Sequence, residues 1–380
     1  MKYCSRCVQP DTRPGLVFGD DGVCMACRLR DDRQKVDWDE RKRQLLEIAD
    51  WARETADGDF ECVVGVSGGK DSHFQAFYAR ERLGLKVLLV NCAPDAITEV
   101  GRRNLENLVQ HGFDMVSFRP NPRVMRAVTR RSFFEHGNPV KPSEYPLYAV
   151  SYQAALRFNI PLIVQGENPG ITLGIVGFLG TTDDALNIRH HNTLGGGNAA
   201  DWVQEGIGLD DLRFYQFPDD GELRDSVRAI HLNYYAEEWS NAGNTKFAVA
   251  HGLCGRPGHD PNLTGRLNPY SSVDSDMQIV NQLLKYYKFG FGSVTDETCY
   301  NIREGLLSRD EAIGLVKLYD GKCDESYVRE FCQYIDVTAE EFWQTADRFV
   351  NRELFSRNPT TGMWEPLFEV GRNLDAGGTS

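Results

Sequence analysis

No stretch of this chain approaches the ~18–20 consecutive apolar residues that a membrane-spanning helix needs. Its first residues, Met1-Lys2-Tyr3-Cys4, carry no apolar signal segment. Both absences lead to the expectation of a cytoplasmic protein without a membrane partner. Positive charge is scarce: 42 Lys and Arg stand against 55 Asp and Glu, a net charge of -13 over 380 residues. Tight sequence-independent binding to nucleic acid needs many cationic phosphate contacts, so no nucleic-acid partner is expected. An anionic small molecule needs only a few well-placed cations. Internal repeats are absent, which excludes a solenoid. The ten cysteines are read as thiols or metal ligands, since a cytosolic chain does not build a disulfide framework.

Four of those cysteines are patterned. Cys4-x2-Cys7 and Cys24-x2-Cys27 each form a tight knuckle, and two knuckles supply four thiolates to one tetrahedral ion. Zinc suits this set; an iron–sulfur cluster or four free thiols are the alternatives. Four cysteines leave no open coordination position, so the expected zinc is structural. Cys62, Cys92, Cys254, Cys299, Cys323 and Cys332 are scattered without close pairs.

The most informative run is Val63-Val64-Gly65-Val66-Ser67-Gly68-Gly69-Lys70-Asp71-Ser72. An apolar β-branched strand enters a glycine loop, and an amphipathic helix follows. Glycines let backbone N–H groups approach phosphate oxygens, and the helix dipole favours their charge. Strands at Phe60–Val66, Lys86–Asn91, Asp114–Phe118 and Ile160–Val164 alternate with helices at Asp71–Leu83, Glu99–His111 and Pro146–Phe158. This rhythm predicts a doubly wound parallel α/β sheet, whose ligands bind beyond the carboxyl ends of the strands. At such ends lie Ser67–Ser72, Asn91 and Gly166-Glu167-Asn168. Asn91, Gly166, Glu167 and Asn168 are candidates for ribose, magnesium or the acceptor, or else ordinary loop residues.

Residues 37–56 read as a helix, Gly177–Asn198 as a glycine-rich polar segment suited to a lid, and 275–355 as mainly helical. Capping boxes begin at Ser308 and Thr338. Three regions are expected: a four-cysteine module over 1–35, a nucleotide domain over 36–270 and a helical substrate or partner region over 271–380. Tyr270, Lys285, Tyr286 and Lys288 interleave aromatics with cations, which suits an anionic sugar; the alternative is a core helix with snorkelling lysines. His190-His191 and His259-Asp260 lack a convincing third ligand and are read as polar loop residues. Gly252-Leu253-Cys254-Gly255-Arg256 lacks the second glycine of a nucleophile elbow, and Lys2 stands where an N-terminal nucleophile would need cysteine. No glutaminase is therefore expected within the chain.

The hexapeptide Ser67–Ser72 is not a Walker A loop, which requires Gly-x4-Gly-Lys-Ser/Thr. It resembles the PP-loop of ATP pyrophosphatases, with a Rossmann-like (HUP-type) sheet. In combination with Cys4-Ser-Arg-Cys7, Cys24-x2-Cys27, Lys285-Tyr-Tyr-Lys-Phe-Gly-Phe-Gly292, Ile302-Arg-Glu-Gly305 and Tyr319-Asp-Gly321, the chain resembles the bacterial N-acetyl sugar amidotransferase family over residues 1–355. The resemblance implies cleavage of ATP between its α and β phosphates and conversion of a sugar acetamido group to an acetamidino group. The sugar would be an O-antigen nucleotide sugar or a nonulosonic acid precursor. It further implies that Ser67, Gly68, Gly69, Lys70, Asp71 and Ser72 surround pyrophosphate. Lys70 would neutralise the leaving group, and Asp71 would hold magnesium or brace the loop. Ammonia would come from a separate glutaminase subunit like that of imidazole-glycerol-phosphate synthase, with a cyclase-like channel subunit as a further partner. The competing reading is a PP-loop tRNA thiolase. The acidic charge and the lack of a second paired-cysteine motif after the loop weigh against it.

Overall fold

The computed structural model describes residues 1–177, 180–190 and 194–374. In chain order it begins with α1 (Met25–Arg33) and α2 (Trp38–Thr55), the latter capped by Asp37 accepting from the Glu40 N–H. The alternating core follows as β1 (Cys62–Gly65), α3 (Lys70–Phe77, running on through a π turn, Tyr78–Arg82), β2 (Val87–Cys92), α4 (Glu99–Gln110) and β3 (Asp114–Phe118). Next come α5 (Pro122–His136), α6 (Lys141–Arg157), β4 (Leu162–Gln165), α7 (Pro169–Leu173), α8 (Asp220–Ser226) and β5 (Arg228–His231). Then follow α9 (Leu232–Tyr235), α10 (Asn241–Ala250), α11 (Pro261–Thr264), α12 (Met277–Phe289), α13 (Ser293–Arg303), α14 (Arg309–Tyr319), α15 (Glu325–Ile335), α16 (Ala339–Phe349) and a small hairpin, β6 (Phe355–Arg357) and β7 (Trp364–Pro366).

The main sheet has the order β3-β2-β1-β4-β5, and all its pairs are parallel. Val63 sits opposite Leu88 and Ile163, Val64 opposite Leu89 and Val164. Alternate residues of each strand enter two different cores, as the period of two requires. Cys62, Val64, Leu89 and Leu162 pack under α2, α3 and α9; Val63, Leu88, Val90 and Ile163 pack under α6. Both faces are covered, so the strands are apolar throughout. Each fully buried Val or Leu contributes roughly 1.5–3 kcal/mol. The chain order reverses between β1 and β4, so their following loops diverge and leave a crevice at that edge.

Three elements differ from the sequence reading. α5 was missed, although Asn121 caps it and Pro122 stands at its start. α6 begins at Lys141 and not at Pro146, because Pro142 already occupies the first turn, and Pro146 lies inside the helix. The fifth strand, β5, is only four residues long and was hidden in the irregular 170–270 stretch. The described part of the glycine-rich segment is tied down: the His231 N–H donates to Asp183 O (2.7 Å) and the Ala185 N–H to Ala229 O (3.0 Å). His191 lies outside the described residues.

The C-terminal helices build two further cores. α12, α15 and α16 enclose Phe133 of α5, whose ring stacks on Phe342 at 5.2 Å. The N-terminal cysteine module shares its core with Val294 and Cys299 of α13 and with Ala312 and Val316 of α14. Arg309 of α14 donates to the Cys7, Cys4 and Gly371 carbonyls (3.2, 3.4 and 2.9 Å). The two ends of the described chain meet as well: the Tyr3 N–H donates to Asn373 Oδ1 (2.7 Å).

Candidate functional site: a cavity between the glycine loop and the C-terminal helices

The loop after β1 turns sharply because Gly68 has φ +82°, and a Cβ there would lie 3.1 Å from Gly101 O and 3.2 Å from Leu105. Glycine alone takes this conformation without strain against α4. Gly69 is the residue before the first turn of α3. Its carbonyl accepts from the Ser72 hydroxyl (2.9 Å) and faces His73 Nδ1 (2.9 Å). Lys70 Nζ contacts Asp71 Oδ2 (2.6 Å), and Asp71 Oδ1 accepts from Asn244 Nδ2 (2.8 Å). Both carboxylate oxygens of Asp71 are therefore engaged, which favours the bracing role.

Lys70 and Asp71 open onto a cavity of about 300 Å³. From β4's loop comes Glu167, which accepts from the Thr172 hydroxyl and from Tyr300 OH (2.9 Å). From α1 come Arg30 and Arg33; from α13 come Asp296, Glu297, Tyr300 and Arg303; Arg266 precedes α12. The glycine loop, the cysteine module and the C-terminal helices thus border one space. Burial and the Glu167 carboxylate push the Tyr300 phenol well above its usual value, so it stays a donor. Asp296 is pushed up by burial, but Arg13 and Lys285 hold it below the usual carboxylate range.

Several sequence candidates take other roles. Asn91 is buried: its amide donates to Val66 O (2.8 Å) and accepts from Ser117 (3.0 Å), so it ties β1, β2 and β3, and it is not among the residues that line the cavity described above. Gly166 is packed against Gln75 and Trp239. Asn168 is fully buried; it caps α7 through the Gly170 N–H (2.7 Å) and donates to Thr182 O (2.8 Å). Tyr270 lies against Gly255, while its neighbours Ser271 and Ser272 reach the cavity.

Lys285 bonds Asp296 (2.5 Å) beneath the Phe291 ring, Tyr286 packs on Phe355 and Gly321, and Lys288 donates to His136 O (2.9 Å). The helix α12 is thus the core helix of the alternative reading. Its lysines satisfy buried acceptors, and burial lowers both their pKa values. His259 meets Arg266 O (3.1 Å). Sequence reasoning missed Arg30, Arg33, Arg266, Asp296, Tyr300 and Arg303. The available signal was on α13, where Asp296, Tyr300 and Arg303 recur at helical spacing on a side that should otherwise be apolar.

The four cysteines come together as expected. All four Sγ atoms are buried and lie within 4.8 Å of one another, with Cys7–Cys24 at 3.7 Å and Cys4–Cys27 at 4.0 Å. A tetrahedron of ~2.3 Å zinc–sulfur bonds has edges of about 3.8 Å, so the set fits zinc. The N–H groups of Arg6, Cys7 and Cys24 point at Cys4 Sγ (3.4, 3.5 and 3.3 Å), stabilising a thiolate. Hydrogen bonds from Cys24 and Cys27 pull the Cys4 thiol down, while the other three are pushed up. Four thiolates together need a cation. Cys299, read as isolated in the sequence, is buried in the same cluster as the four cysteines.

The class that these features define is a doubly wound parallel α/β fold with a glycine loop at its topological switch point and a buried four-cysteine cluster. Residues 264–369 match the family described as "LPS biosynthesis protein WbpG-like, C-terminal domain", so this chain carries a WbpG-like C-terminal domain. Solved structures with some likeness include the NMN synthetase of Francisella tularensis (14% identity, covering 59% of this chain and 100% of that one, TM-score 0.28). Another is the NAD+ synthetase of Burkholderia pseudomallei (15% identity, covering 60% and 94%, TM-score 0.28). Likeness of that degree carries nothing about substrate. No curated protein matches the sequence. Among the described residues, no helix is long and apolar enough to cross a membrane.

Proposed function

We propose that the protein is an ATP-dependent, AMP-forming amidotransferase that converts the acetamido group of an anionic sugar to an acetamidino group. The supporting observation is that the glycine loop and the WbpG-like domain line one cavity, Lys70 and Asp71 together with Arg266, Tyr300 and Arg303. An amide carbonyl is a poor electrophile because its nitrogen donates into it. In the proposed reaction its oxygen attacks the α-phosphorus of ATP, and the bond to the β-phosphate breaks. Pyrophosphate leaves into the loop, where Lys70 and the N-terminus of α3 stabilise its charge. Ammonia adds to the imidate carbon, AMP departs with the former amide oxygen, and an amidine remains.

The cavity's part is mainly positioning, bringing the amide oxygen into line with the α-phosphorus. Magnesium, when bound, would neutralise phosphate charge; Glu167, which lines the cavity with Lys70, is the carboxylate that would hold it, both oxygens of Asp71 being engaged by Lys70 and Asn244. Zinc at Cys4, Cys7, Cys24 and Cys27 would hold α1, and with it Arg30 and Arg33, against α13. Ammonia would be delivered by a separate glutaminase subunit, since neutral solution holds mostly ammonium. O-antigen sugars and nonulosonic acids are the sugars this reading favours.

The test mixes protein, ATP, magnesium, ammonium and a panel of acetamido sugars. The expected result is AMP release together with a product one mass unit lighter, because oxygen is exchanged for NH. If no acetamido sugar stimulates AMP release, the reading fails. Co-purification of tRNA and iron would support the thiolase instead.

A further inference from the structure

The carboxylates and the arginines of the cavity are unequally satisfied. Asp296 is paired with both Arg13 and Lys285. Glu297 accepts from the Leu267 and Asn268 N–H groups (2.7 and 2.9 Å), and Glu304 from those of Asn241 and Ala242 (2.6 and 3.1 Å). Glu167 is held by Thr172 and Tyr300. Arg33 is likewise engaged by the carbonyls of Asn233, Ala236 and Glu237. Three arginines remain. Arg266 is only 4% exposed, its Nε has no hydrogen-bond partner, and no carboxylate among the described residues lies within 4 Å of its guanidinium. Arg303 lies over the Tyr300 ring, 5.0 Å away, with the thiols of Cys299, Cys7 and Cys27 nearby, and its guanidinium makes no ion pair with a carboxylate among the described residues. Arg30 donates its Nε to Arg303 O (3.0 Å), which fixes its stem while its terminal nitrogens stay without a partner among the described residues.

A buried guanidinium without an acceptor is costly, and a fork of N–H donors matches the paired oxygens of phosphate or carboxylate. We propose that Arg266 and Arg303, flanked by Arg30, form an anion subsite that seats the phosphate or carboxylate group of the acceptor and so turns its acetamido group toward the glycine loop. The substrate class this selects is an acidic or phosphorylated N-acetyl sugar, and neutral ones are discriminated against. The proposal rests on the amidotransferase reading for its substrate, but the subsite itself is testable without turnover. Arg266 and Arg303 are positioning and specificity residues; the chemistry stays with the loop.

Calorimetric titration of the full chain, with α,β-methylene-ATP saturating the glycine loop, uses four probes. These are N-acetylglucosamine 1-phosphate, UDP-N-acetylglucosamine, N-acetylneuraminate and neutral N-acetylglucosamine. At least one anionic probe is expected to bind wild type tenfold or more tightly than the neutral sugar. Phosphate-bearing and carboxylate-bearing probes tell the two sources of anion apart. Arg266→Met and Arg303→Met should each abolish that preference while the affinity for the ATP analogue stays within twofold.

Anionic probes that bind no better than the neutral sugar, or bind both variants as they bind wild type, overturn the subsite. Should Arg266→Met fail to fold, Arg303→Met decides. Absence of AMP release with intact anion binding would defeat the reaction and leave the subsite standing. AMP release in which anionic and neutral sugars serve wild type and both variants equally would do the reverse.

Discussion

Removing the metal from the four-cysteine cluster should unfold more than the first 27 residues. The cluster buries all four sulfurs. Without a cation, the segment keeps the apolar contacts it shares with α13 and α14 and a handful of polar bonds, among them Arg309 to the Cys4 and Cys7 carbonyls, Arg13 to Asp296, Thr12 to Phe289 O and Tyr3 to Asn373. At about 1 kcal/mol net each, the polar bonds come to a few kcal/mol. Binding of a structural zinc by four thiolates contributes ~10–16 kcal/mol, comparable with the whole net stability of a domain, ~5–15 kcal/mol. The metal therefore decides whether the module is folded. Because Val294, Cys299, Ala312 and Val316 share its core, losing it uncovers the inner face of α13 and α14.

A loss of ~5 kcal/mol in a chain of this size lowers the melting temperature by more than about 10 °C, at roughly 2–4 °C per kcal/mol. The assay is metal content by mass spectrometry, a melting curve before and after a strong chelator, and hydrogen exchange over residues 293–319. The expected outcome is one metal per chain, the stated drop, and faster exchange in that segment. A protein that is fully folded without metal, or that loses it with exchange over 293–319 unchanged, would refute the reasoning.

Lys70→Ala should lower AMP release roughly 10²–10³-fold, the usual cost of one charge-stabilising donor, with metal content unchanged. Gly68→Ala should weaken ATP binding, since its φ of +82° and the 3.1 Å approach to Gly101 O leave no room for a side chain; titration with an ATP analogue checks this. Asn91→Ala should lower the melting temperature but leave the KM for ATP within about twofold, because its amide joins three strands and touches no cavity. Burial lowers the pKa of His73 to about 4. Between the unfolded value near 6.5 and that figure, only the unfolded chain takes up the proton. Stability from this residue is therefore complete above pH ~6.5 and falls by about 3 kcal/mol on acidification to pH 4. Denaturant titrations across that range should show the slope, and His73→Asn should flatten it.

The sequence alone determined the parts whose physics is local. A β-branched run before Ser67-Gly68-Gly69-Lys70 reads as a strand entering a tight glycine turn at a helix N-terminus, and Cys-x2-Cys pairs close knuckles by their spacing. Four strands, the helices that cover them and the capping boxes at Ser308 and Thr338 follow from periodicity and hydrogen-bonding chemistry that a few neighbours dictate. What the tertiary structure decided is which polar side chains are free. Lys285, Lys288, Asn91 and Asn168 look like ligands in a string of letters, yet each is engaged by a residue outside its own element: Asp296, His136, Val66 and Thr182. Arg266 and Arg303 look like unremarkable charges, yet among the described residues neither guanidinium forms an ion pair with a carboxylate once the chain has folded. Satisfaction of a buried polar group is a property of its surroundings and not of its sequence neighbours, so it becomes readable only when the cysteine module, the sheet edge and α13 close around one cavity.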